Sequence, residues 1–282
     1  MTNHLNIIIP RVYQSFKDIW KREHPKLIQM YLDEKASFVP NLLPEDAIEI
    51  STLETISILK QRLGNTFDIA ISDENVRLDN YDLPKIIQSP IRNKTDGTWL
   101  KSTNMVGINV RTIGNFWNII KYVLTLPKSQ DSIHLLPIWE PGVVASLYGM
   151  ASWNINPEFY SNDLEIAIPH LNTVEKQLKA VVNILHALKK TVGMDVIPHT
   201  DRFSEIVLSN PQYFEWLQRE NYEIVNHRAD LHEEVQDFIM LFLEQYGPSS
   251  PFDDYPKDRK IFFSEDYEEE KRNIILFGKP EQ

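Results

Sequence analysis

The chain has 282 residues, 42% of them apolar and none of them cysteine, with 29 lysines and arginines against 40 aspartates and glutamates for a formal net charge of -11. That length holds one large domain or two smaller ones with a real core. The acidic balance excludes a general nucleic-acid or anionic-membrane binder, which needs a basic face, and the lack of cysteine excludes disulfides and thiolate metal sites.

Residues 1 to 98 read as a mainly helical N-terminal extension. Its opening, MTNHLNIIIPRVYQSF, has a short apolar run without basic flanks, so no signal peptide is expected, and no 18 apolar residues run together anywhere. A cytoplasmic protein without a membrane partner is the expectation. Apolar periodicity predicts helices over 12–32 and 53–63, the second capped by Ser51 or Thr52. Pro84, Pro90 and the Asp96-Gly97 turn mark a seam, and 99–282 reads as the second domain.

From about 104 the pattern becomes strand, helix, strand, helix, strand. The strands are expected at 105–110, 133–138 and 194–198. Gly114-Asn115 opens the first helix, and Asn172-Thr-Val-Glu175 resembles a capping box for the second, which Gly193 is expected to stop. Strands separated by helices imply parallel pairing, and apolar runs imply burial on both faces. Further helices are expected at 205–217 and 233–246, and the acidic run EDYEEEKR reads as a solvated helix face.

Chemistry concentrates after the second and third strands. The long loop after the second carries Trp139, Glu140, Tyr148 and Trp153, and flat rings beside carboxylates suit sugars, whose C–H faces lie on aromatic surfaces while hydroxyls take polar partners. The plainer alternative is that Tyr148 and Trp153 pack this loop onto the rim. The third strand, in KTVGMDVIPHTDR, runs into Asp195 and His199. No H-E-x-x-H, P-loop or G-x-G-x-x-G is present, so no metal site and no nucleotide cofactor are expected.

The succession LLPI, then SLYG and NINPEF, then a helix, then GMDVIPHT resembles the α-amylase family of glycoside hydrolases over about residues 104–202. The resemblance implies the first three βα units of a TIM-type (β/α)8 barrel acting on α-glucan-like carbohydrate. Asp195 falls on the family's third-strand aspartate. His199 lies where the family usually has Asn, and Thr200 where it has His. Ala151-Ser152-Trp153 replaces the family's Asp-Tyr pair, so a calcium ion commonly held nearby would lose its Asp and no cofactor is expected.

By this resemblance Asp195 and His199 hold sugar hydroxyls, Tyr148 and Trp153 stack, and Arg111, Trp139 and Glu140 line the rim. A retaining mechanism needs two carboxylates about 5 Å apart. The nearest match to the family's R-x-D is Arg228-Ala-Asp230, with Asp230 as nucleophile and Arg228 keeping it ionised; the alternative is that Asp230 caps a helix. A full barrel takes about 250 residues, so the expectation is that the last third of the chain folds over the gap, that a second chain completes the sheet, or that a further C-terminal portion does. A non-catalytic sugar-binding or protein-interaction scaffold is the competing expectation.

Overall fold

The computed structural model describes residues 11–72, 75–78, 81–84, 86–94, 96–197, 200–201, 204–227, 231–249 and 254–278. In chain order come helices α1 (Arg11–Leu32), α2 (Pro44–Glu49), α3 (Thr52–Leu63) and α4 (Asn65–Ala70), then the antiparallel strands β1 (Asn75–Leu78) and β2 (Tyr81–Pro84). Next are β3 (Met105–Ile108), α5 (Val110–Ile113), α6 (Phe116–Val123), β4 (Ser132–Leu135), β5 (Trp139–Pro141), β6 (Met150–Ile155), α7 (Asn162–Ala167), α8 (Val174–Ala187) and β7 (Thr191–Met194). The chain continues with α9 (Glu205–Ser209), β8 (Leu217–Glu220), β9 (Glu223–His227), α10 (Leu231–Tyr246), α11 (Arg259–Phe262) and α12 (Glu269–Phe277). Two compact units result: Met1–Ile138 with Ile155–Asp195, and Trp139–Asn154 with Val196–Gln282.

The first unit is α/β. Its sheet is parallel and three-stranded in the order β3-β4-β7, with Gly107, His134 and Gly193 side by side across it. Alternation along each strand puts Ile108, Ile133 and Leu135 on one face, at 4%, 0% and 0% exposure. The other face carries Gly107, His134 and Gly193, with Asp195 next along β7, and these are exposed or half-buried. Burial on both faces, the sequence expectation, thus holds for one face and not for the carboxyl end of the other.

Local chemistry sets the helix starts. Asn115 Oδ1 accepts from the Asn118 N–H at 3.0 Å to open α6, and Ser51 Oγ accepts from Glu54 N–H at 3.1 Å to open α3. Such caps are each worth about 1 kcal/mol. Thr173, one residue past the expected start of the box, caps α8 by accepting from Lys176 N–H.

That helix ends well before Gly193. Lys189 takes a φ of +62°, and the Lys190 N–H returns to the Leu185 carbonyl at 2.9 Å, which satisfies the end of the helix without glycine. Gly193 is released to β7, and the third strand runs three residues earlier than expected.

Asp131 ties the amino ends of the strands together. Its Oδ1 accepts from the Asn104 N–H and the Thr103 hydroxyl, both at 2.8 Å, and its carbonyl accepts from Thr191 N–H at 2.8 Å. Beneath it, buried Lys190 donates to the Pro127 and Gln130 carbonyls at 2.9 and 2.6 Å. The helices of 11–70 belong to this same unit: Val39 N–H donates to the Leu124 carbonyl, and the Lys121 ammonium donates to the Ile48 carbonyl.

In the second unit, β5 and β6 pair within what the sequence suggests is a loop. Thr200 bridges Met150 in parallel, and the Asp201 N–H donates to the Met150 carbonyl at 3.1 Å. The helix expected over 205–217 stops at Ser209, where Asn210-Pro211 opens a 3-10 turn and Leu217 begins a strand. β8 and β9 form an antiparallel hairpin whose turn residues, Asn221 and Tyr222, both have positive φ. Leu243, Tyr255, Phe262, Phe263 and Ile275 form the core under α10 to α12, while Glu268, Glu269 and Glu270 face solvent.

Among the described residues no helix is long and apolar enough to cross a membrane.

Candidate functional site

Asp195 is the residue that directly follows β7, at the carboxyl end of the parallel sheet, where α/β proteins collect their ligand-binding groups. Its Oδ1 lies 2.7 Å from His134 Nε2. The pair is half-buried, with 30% of the imidazole and 27% of the carboxylate exposed. The ring therefore donates from Nε2 to the carboxylate in its neutral tautomer, and still does so when protonated.

Register explains the contact. His134 on β4 stands opposite Gly193 on β7, and Asp195 follows two residues along on the same face. A Cβ at position 193 would come 3.1 Å from His134 Nδ1, so the bare glycine gives the ring room that a side chain would narrow by a few tenths of an ångström. At Gly107, the neighbour on the other side, no atom of the described residues lies within 4 Å of where a Cβ would be.

Arg111 leaves β3 by a different route. Asn109 caps α5, accepting from the Arg111 N–H at 3.0 Å, and the guanidinium grips Glu158 with two bonds, Nε to Oε1 and Nη2 to Oε2, the latter at 3.2 Å. Glu158 sits in the NINPEF stretch, in a 3-10 turn capped by buried Asn156 through a 3.1 Å bond. The arrangement joins the segment after β3 to the segment after β6 by a fork-to-fork ion pair.

The second unit holds the aromatic residues. Trp139 and Trp153 meet edge to face with ring centroids 5.1 Å apart, and Trp153 is 45% exposed. Glu140 accepts from the Ser152 hydroxyl at 2.8 Å, and that hydroxyl accepts from the Asn154 N–H at 3.1 Å. Tyr148 is exposed. Glu205, at the start of α9, has its carboxyl pushed above the ordinary range, first by burial and then by the Glu140 carboxylate.

The expected site residues thus fall in both units: Asp195 and Arg111 in the first, Trp139, Glu140, Tyr148 and Trp153 in the second. His199, Arg228 and Asp230 lie outside the described residues; β9, which leads toward the latter two, pairs antiparallel with β8. His134 and Glu158 are the partners that the sequence reading does not single out. His134 is legible in retrospect, since Ser-Ile-His-Leu alternates polar and apolar and so places the imidazole on the face away from Ile133 and Leu135. Among the described residues no cluster of three or more histidine, aspartate or glutamate side chains is placed to hold a metal ion.

Comparison with protein-family models finds no match to the chain, and comparison with the curated proteins finds none either.

Proposed function

We propose that this is a carbohydrate-active protein of the α-amylase type, holding α-glucan-like sugars, with Asp195 as a hydroxyl-binding residue. The observation that carries the reading is the sheet: three parallel strands adjacent in the order in which they occur in the chain, with Asp195 at the carboxyl end of the third. A (β/α)8 barrel lays down all its strands in that order, as does each half of a doubly wound sheet, and the α-amylase-like succession of residues 104–202 is what favours the barrel. The proposed architecture is the opening three βα units of such a barrel.

A carboxylate held by an imidazole is a strong acceptor for sugar hydroxyls, because an ionised acceptor makes shorter and stronger bonds than a neutral one. In the second unit the Trp139–Trp153 pair, beside Glu140, offers an aromatic surface of the kind that carries pyranose C–H faces. The enzymatic version of the proposal, a glycoside hydrolase or transglycosylase, needs a nucleophile and an acid/base. Of the residues directly after the three strands, Asn109, Leu136 and Asp195, one is a carboxylate. That favours a holding role for Asp195 and supports, as second reading, a non-catalytic sugar-binding scaffold.

The test is calorimetry of the full chain with maltoheptaose, alongside release of reducing ends from soluble starch. Binding that is lost in Asp195→Ala without a change in melting temperature supports the proposal, and turnover then separates enzyme from scaffold. Failure to bind or cleave any α-glucan overturns it.

A further inference from the structure

The geometry points to His134 as the positioning residue of the Asp195 site, with Gly193 kept side-chain-free so that the imidazole can reach the carboxylate. This rests on the proposed sugar-binding role of Asp195 and adds the group that would make it selective. A lone aspartate at a strand end rotates about χ1 and χ2, and each ligand must first stop that rotation. Here the 2.7 Å bond from His134 Nε2 occupies Oδ1 and fixes the plane of the carboxylate before a ligand arrives.

Three features of the sheet combine to produce this. The parallel register sets His134 directly opposite Gly193 and one alternation away from Asp195. The missing Cβ at 193 leaves room for Nδ1, which would otherwise stand 3.1 Å from it. Buried Ile133 and Leu135, each at 0% exposure, lock the β4 backbone on either side of His134. On the ring's other flank, no atom of the described residues lies within 4 Å of where a Cβ on Gly107 would stand. The ligand class that suits a half-buried, pre-oriented carboxylate beside a flat imidazole is a polyhydroxylated ring offering two adjacent hydroxyls, each a donor to a charged acceptor.

The experiment compares wild type, His134→Leu, His134→Gln and Gly193→Ala, each as the full chain, by maltoheptaose calorimetry and thermal melting. The glutamine amide reaches about as far as the imidazole Nε2 and keeps an N–H donor, while leucine keeps only bulk. Expected are a tenfold or greater weakening in His134→Leu, recovery to within about threefold in His134→Gln, and a smaller weakening in Gly193→Ala, whose Cβ crowds the ring by a few tenths of an ångström. The inference is overturned if wild type binds and His134→Leu binds equally, or if His134→Gln is as weak as His134→Leu, since a donor is then not what the position supplies. If wild type binds no α-glucan, the sugar-binding reading itself falls and this inference goes with it, a result distinct from the other two.

Discussion

Asn183, on α8, holds the backbone of Ile87: its Oδ1 accepts from the Ile87 N–H at 2.9 Å, while its Nδ2 donates to the Ala70 carbonyl at 3.2 Å. One turn on, His186 Nδ1 lies 2.8 Å from the Ile87 carbonyl. A single buried amide therefore anchors the segment that follows the N-terminal helices to the helix that precedes β7. Replacing it with alanine leaves an N–H and a carbonyl without their partners, and such groups cost about 1–3 kcal/mol each when buried. Asn183→Ala is expected to lower stability by about 2–3 kcal/mol, read as a lower urea midpoint at unchanged slope. An unchanged midpoint would mean that water replaces the amide without loss.

Asp131 makes a second, pH-dependent prediction. The Asn104 N–H, and with it the Thr103 hydroxyl, holds the carboxyl below its ordinary value of 3.8. A depressed acid binds fewer protons folded than unfolded between the two values, so its contribution is complete above 3.8 and is lost as pH falls through the folded value. Asp131→Ala should melt roughly 2–4 °C below wild type at pH 7, the shift expected for a bond of about 1 kcal/mol. Melting curves from pH 7 down to pH 2.5 should show the gap narrowing only below 3.8; a gap constant over that range would count against the linkage.

Much of this first unit is legible in the sequence, and the reasons are local. Asn115 and Ser51 announce their helices because capping uses a side chain and an N–H three residues away. The parallel order follows from strands spaced by helices. What escapes is the long-range detail. Gly193 reads as a helix stop because glycine commonly is one, yet Lys189 does that work at positive φ and Gly193 serves the register with His134. His134 escapes for a related reason: its contact with Asp195, 61 residues away in the chain, exists only once β4 and β7 are aligned. The β5–β6 pairing is hidden because Pro141 and Gly142 look like loop punctuation. Gly142 in fact lies so close to Asp201 that a Cβ there would come 2.4 Å from the aspartate Cβ.

Glu205 should show the opposite pH response to Asp131. Burial, and then Glu140, raise its carboxyl above the ordinary value of 4.5. A raised acid binds more protons folded than unfolded, so folding loses stability as pH rises from 4.5 through the folded value, and the penalty is complete above it. Glu205→Gln, which is uncharged at every pH, should therefore melt higher than wild type at pH 7 and equal to it below pH 4 or so, where wild type is itself protonated. The effect is expected to be small, within about 0.5 kcal/mol, because the group is only partly buried and an acid in the first turn of a helix also gains from the helix dipole. A variant that melts lower at pH 7 would show that the dipole outweighs burial.

Trp153 separates stacking from packing in the second unit. Its ring contacts Trp139 edge to face at 5.1 Å and leaves 45% of the residue exposed, which suits a surface that both supports β5 and receives a ligand. An aromatic contact of this kind is worth about 0.5–1.5 kcal/mol beyond area, or roughly two- to twelvefold in affinity. Trp153→Ala should weaken maltoheptaose binding by that factor, and Trp153→Phe should recover most of it because the flat face is kept. If the ring only packs β6 against β5, both variants would bind as wild type does while the alanine variant melts lower. Calorimetry and melting on the same preparations decide between the two, since a stacking surface changes the first measurement and a packing surface the second.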